Sequence, residues 1–151
     1  FLLSTWGAFY PFSIKSYEEQ LEDLKKDGLN FIWHTKGAWG DDNVYKPTPE
    51  KLEEVYAKAG MKYLLDVSEG QSYTKEQVKN AKNAIGYYVK DEPSAAQFDQ
   101  TAELFKKWLT AHESKSPMIN LYPNYAGTTA LGGTYSDYVN NWIDCVGAEK
   151  F

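Results

Sequence analysis

The chain has 151 residues, 42% of them hydrophobic and 25% charged, which fits one globular domain rather than a disordered chain. Its net charge is −5, all 16 basic residues are Lys and no dense basic patch occurs, so a nucleic-acid partner is disfavoured. The lack of Arg also disfavours a site for bidentate phosphate or carboxylate recognition, although a coding bias towards Lys accounts for it equally well.

Aromatic residues are abundant, with 12 Tyr, 7 Phe and 5 Trp, and together with neutral polar groups they suit a sugar ligand. No apolar run reaches membrane-spanning length. The lone cysteine, Cys145, excludes an internal disulfide and reads as a small buried hydrophobe in a helix. It leaves the compartment open, with an extracytoplasmic setting, secreted or surface-attached, favoured.

In chain order, strands and capped helices alternate. Leu2–Trp6 reads as a strand. Ser16 to Lys26 reads as a helix with a Ser16/Glu19 capping box and Gly28 as its stop. A strand over Asn30–Thr35 precedes a helix opened by Thr48-Pro49 and closed by Gly60. Lys62–Ser68 is the third strand, followed by a helix with Thr74/Gln77 as its box. The fourth strand, Ile85–Asp91, runs into a helix opened by Ser94 and Gln97 that carries Phe98, Leu104, Phe105, Trp108 and Leu109. Met118–Tyr122 is the fifth strand, and a helix from about Ser136 to Cys145 stops at Gly147.

Five βα units in residues 1–151 fit either an open doubly wound sheet or the first five units of a (β/α)8 TIM-barrel-type fold. No Gly-x-Gly-x-x-Gly follows the first strand, so a dinucleotide fold is disfavoured and the partial barrel is preferred. Residues 147–151 read as a helix stop and the start of a sixth strand. Strand edges left open invite either the remaining barrel half or self-association.

Alternation along each strand predicts which residues face the barrel interior. Placing the polar residues there puts Ser4 and Trp6 inward on the first strand and His34 inward on the second, with Phe31 and Trp33 outward. On the third strand Asp66 and Ser68 are inward, with Leu65 and Val67 outward. On the fourth, Gly86, Tyr88, Lys90 and Glu92 are inward, with Ile85, Tyr87 and Val89 outward. On the fifth, Asn120, Tyr122 and Asn124 are inward, with Ile119 and Leu121 outward.

The resulting rim gathers Trp6, His34, Asp66, Ser68, Asp91, Glu92, Tyr122, Asn124 and Tyr125. Glycoside hydrolysis needs two carboxyl groups across a cleft, with aromatic faces and hydroxyl-binding side chains around them. Trp39, in a long loop beside Gly40, adds a further sugar-stacking candidate. Each residue also has a structural reading. Asp91-Glu92-Pro93 serves a helix N-terminus equally well, Asp66 pairs with Lys90, His34 is a satisfied polar side chain and Trp6 plugs the barrel. No His or Cys spacing points to a metal, and no cofactor is implied.

The segments Gly86-Tyr87-Tyr88-Val89-Lys90-Asp91-Glu92-Pro93, Ile119-Asn120-Leu121-Tyr122-Pro123-Asn124-Tyr125 and Thr5-Trp6-Gly7 resemble those of the TIM-barrel glycoside hydrolases of clan A, particularly the family 42-like barrels of gut bacteria. The resemblance implies a retaining glycosidase acting on an oligosaccharide or polysaccharide. Glu92, after strand four, takes the place of the acid/base. Asp91 stands where the clan usually has an Asn that binds the hydroxyl beside the anomeric carbon. The clan's nucleophile, a glutamate at the end of strand seven, has no counterpart in these residues, so the chain alone is expected to lack activity. The alternative is a carbohydrate-binding barrel without catalysis, or an inactive fragment of the enzyme.

Overall fold

The computed structural model describes residues 2–5, 16–33, 48–68, 73–111 and 114–147. Within them the chain alternates strands and helices: β1 (Ser4–Thr5), α1 (Tyr17–Lys26), β2 (Phe31–Ile32), α2 (Pro49–Ala59), β3 (Lys62–Asp66), α3 (Lys75–Asn80) and β4 (Ala84–Asp91). A 3₁₀ turn (Ala95–Gln97) leads into α4 (Phe98–Leu109). Then come β5 (Ser116–Asn120), a short α5 (Thr128–Leu131) and α6 (Tyr135–Val146). The expected trace of Trp6, His34 and Trp39 falls outside the described residues.

The helices start where capping chemistry requires. Ser16 Oγ accepts from the Glu19 N–H while the Glu19 carboxylate accepts from the Ser16 N–H, and Thr74 and Gln77 repeat the exchange. Thr48 caps α2 with Pro49 in its first turn, and Gly60 ends that helix at φ 69°. The Ser94/Gln97 pair opens the 3₁₀ turn rather than α4 itself, with Gln97 Oε1 accepting from the Ser94 N–H at 2.9 Å. The helix expected from about Ser136 is α6, the fifth by the sequence reading because the short α5 had no counterpart there; its cap is Thr134, which bonds Asp137 in both directions.

All neighbouring strands are parallel and the sheet order is β1-β2-β3-β4-β5. A doubly wound sheet needs a reversal of order and helices on both faces. Here the order never reverses. One apolar cluster joins Tyr17 and Leu21 of α1, Leu52, Val55 and Tyr56 of α2, Val78 of α3 and Trp108 of α4 to a single face of the sheet, formed by Ile32, Tyr63, Leu65, Tyr87 and Val89. The other face carries Phe31, Leu64 and Tyr88, with Trp33, Ile85 and Met118 against them, and no helical residue belongs to that cluster. A second helix-side cluster ties α4 to α6 through Phe98, Ala102, Tyr138 and Trp142.

The alternation expected for β3 holds, with Leu65 and Val67 on the helix side. Three other expectations are corrected. On β2 the assignment is reversed: Phe31 and Trp33 sit on the face away from the α1–α4 cluster and Ile32 faces the helices. Orienting that strand by polar His34 puts the two aromatics on the helix side, whereas the opposite face is itself apolar at this level. On β4, Ile85 packs with Phe31, Leu64 and Tyr88 on that opposite face, because the register slips by one residue between Tyr63–Ala84 and Leu64–Gly86. A second slip, between Tyr88 and Lys90, pairs Lys90 with Ile119 and Asp91 with Asn120. Asp91, not Lys90, therefore continues the face of Tyr88, and Glu92 lies beyond the strand. Gly86 is required where β4 meets β5, since a Cβ there would collide with the Ser116 carbonyl.

Candidate functional site

The C-terminal ends of β3, β4 and β5 bring together Asp66, Tyr88, Asp91 and Asn120. Asp66 registers with Tyr88, and Asp91 with Asn120. Asp66 is buried and its Oδ1 accepts from both the Ser68 N–H at 3.0 Å and the Ser68 hydroxyl at 2.6 Å. Tyr73 donates to the Asp66 carbonyl at 2.8 Å. Burial and the charge of Asp66 push the Tyr73 phenol up to about 12. Tyr88 is raised further, first by burial and then by the negative charges of Asp91 and Asp66, with Glu92 adding to them. The phenol of Tyr88 thus stays protonated, a neutral donor set among three acids.

At the mouth of this group Asn120 Nδ2 donates to Asp91 Oδ1 at 2.9 Å, and Asp91 is exposed. Glu92 follows with φ at 40°, the left-handed region in which a non-glycine residue costs about 1–3 kcal/mol. It is the sole non-glycine residue with positive φ among those described. Its N–H donates to the Asn120 carbonyl at 2.8 Å. Among the described residues nothing forms a hydrogen bond or ion pair with its carboxyl. Non-glycine residues held at such angles cluster at functional sites.

Beyond β5 the chain forms a rim loop. Tyr125 is 86% exposed and Asn124 is exposed beside it. Tyr122, expected to face inward, instead packs on the helix side, its ring 6.3 Å from that of Tyr138 in the α6 cluster. The strand ends at Asn120, so alternation no longer governs position 122.

Four participants, Tyr73, Tyr88, Asn120 and Tyr138, were not singled out from the sequence as site residues. Asn120 was placed on the interior face but given no role; its amide holds Asp91. Tyr138 was missed altogether. It is fully buried on α6, donates to the Pro93 carbonyl at 2.7 Å and accepts from the Tyr122 N–H at 3.2 Å. Its spacing on an amphipathic helix marks it only as core, and nothing local signals its hydroxyl partners.

Among the described residues no group of three or more His, Cys, Asp or Glu side chains is placed to hold a metal ion, and no helix is long and apolar enough to cross a membrane. Neither family models nor curated proteins give a match to this chain.

Proposed function

We propose that this chain forms the first five βα units of a (β/α)8-type glycoside hydrolase barrel, with Glu92 as the proton donor and then the general base. The observation that carries the reading is the strained Glu92, at the C-terminal end of a parallel strand, next to Asp91, Asn120, Tyr88 and Asp66. Catalytic groups of parallel α/β barrels lie at that end of their strands. The unreversed strand order, the helices on one face and the apolar opposite face fit a sheet that curls into a ring.

In this reading Asp91 accepts a hydrogen bond from a sugar hydroxyl. An aspartate offers no donor of its own, and Asn120 brings an amide to the same spot. Tyr125, with most of its ring in solvent, supplies an apolar face for a pyranose, with Asn124 beside it for hydroxyls. Trp6, His34 and Trp39, the other sugar-binding candidates of the sequence, lie outside the described residues. The second carboxylate comes from further βα units, or from another copy, that close the ring at the open edges of β1 and β5.

The test is Glu92→Gln in the complete protein, assayed on an unactivated glycoside. Loss of about 10²–10⁴-fold in turnover is expected for a general acid, and turnover near that of the unsubstituted protein rejects the assignment.

A second reading, a carbohydrate-binding barrel without catalysis, draws on Tyr125 alone, because stacking needs no carboxyl group. It requires sugar-induced stabilisation without turnover, unaffected by Glu92→Gln.

A further inference from the structure

We propose that Tyr138 is the positioning residue of this site: its hydroxyl holds Glu92 in the left-handed conformation and fixes the rim loop of Tyr122–Tyr125 at a set distance from it. The inference rests on Glu92 being the acid. Glu92 is held by a hydrogen bond on its own peptide and by a second one residue further on. Its N–H donates to the Asn120 carbonyl at 2.8 Å, and the carbonyl of Pro93 accepts from Tyr138 at 2.7 Å. The Pro93 ring fixes the φ of that residue, so anchoring its carbonyl limits how far the peptide between Glu92 and Pro93 can turn, and Glu92 stays at φ 40°.

The same hydroxyl accepts from the Tyr122 N–H at 3.2 Å, at the head of the loop that carries Asn124 and Tyr125. One oxygen therefore links the peptide after the acid to the peptide that begins the loop. The tyrosine is held rigidly. It is fully buried, its ring lies 4.7 Å from Phe98, and Tyr135 stacks at 6.3 Å on the same ring. Burial raises the phenol above its ordinary value, so it remains a donor to Pro93 across the range in which a glycosidase works. A packing role alone needs the ring and not the hydroxyl.

The experiment compares the isotope-labelled chain with Tyr138→Phe and with Phe98→Leu. The second variant loosens the ring packing and leaves the hydroxyl. Two readouts are followed by NMR: exchange of the Tyr122 amide and exchange of the Glu92 amide, each relative to global unfolding. Tyr138→Phe is expected to speed exchange of both amides about tenfold. Phe98→Leu lowers stability without either local change.

The proposal stands only if both readouts move in Tyr138→Phe. Unchanged exchange at either amide, or equal changes in Phe98→Leu, overturn it. Should Tyr138→Phe fail to fold, 3-fluorotyrosine at that position keeps the ring and weakens the acceptor. Faster Tyr122 exchange must then follow, and its absence overturns the proposal. Neither readout depends on turnover, so a failed glycosidase assignment and a failed positioning role are told apart.

Discussion

The two ends of the sheet use similar side chains to opposite effect. At the N-terminal ends of β3 and β4, Glu53 of α2 has its carboxylate filled. It accepts from the Asn83 N–H at 2.9 Å, the Asn83 side-chain amide at 2.8 Å and the Tyr63 hydroxyl at 3.2 Å, while Lys62 donates to Asn83 Oδ1 at 3.0 Å. Buried Lys115 lies near the same charge. At the C-terminal ends, exposed Asp91 accepts from the Asn120 amide and lies beside the Tyr88 phenol, and Glu92 sits in a strained conformation instead of a saturated one. A carboxylate whose lone pairs are used internally is a structural element; one held out by its backbone is available to a ligand. Position along parallel strands separates stability from chemistry in the same way in α/β barrels.

Substitutions at three positions sharpen or break that contrast. The largest effect is expected from Glu53→Ala, which strands the Asn83 N–H and the Tyr63 hydroxyl and should cost about 3 kcal/mol in urea unfolding. Glu92→Gln should stay within about 0.5 kcal/mol of the parent, and equal losses at the two positions would erase the distinction between the ends.

The next effect is alkaline. The Tyr73 phenol has an ordinary value of 10.0 and is pushed up to about 12 in the folded chain. The unfolded chain releases that proton first, so the stabilisation is complete below pH 10 and is lost as pH rises towards 12. Tyr63 and Tyr88 shift the same way. Stability should therefore fall across this window, and Tyr73→Phe should make the decline shallower. A parallel decline in the variant would rule out Tyr73 as a contributor.

The smallest effect carries an inverted sign. Glu92→Gly should stabilise the fold by about 0.5–1 kcal/mol, because glycine adopts positive φ without steric cost. Glu92→Ala should bring no such gain. A destabilised glycine variant would mean that the backbone at this position holds no strain.

Much of the fold was legible because its signals are local. Ser16, Thr48 and Thr74 each announce a helix, and Gly60 and Gly147 end theirs in left-handed conformations. What failed was long-range. The register slips that move Ile85 and advance Asp91 arise from pairing with β3 and β5, so no window of β4 alone reveals them. Phe31 and Trp33 were misassigned because a polar neighbour was allowed to set the parity of a strand whose face away from the helices is apolar. Asp91 and Glu92 could be placed at the end of β4 because adjacent carboxylates before a proline mark where the strand stops. Asn120 and Tyr138 could not be given their roles, because those of an amide and a buried phenol depend on partners 29 and 45 residues away in the chain.

The unreversed order of strands also bears on how the chain leaves the ribosome. Each new strand lands beside the one made just before it, and each helix covers a stretch already synthesised. Apart from the outer edge of β1, no described strand must wait for a later one to complete its pairing, as the central strand of a sheet with reversed order must. Docking can proceed in the direction of translation, unit upon unit, with bare peptide groups confined to the outer edge of β1 and to the most recent strand.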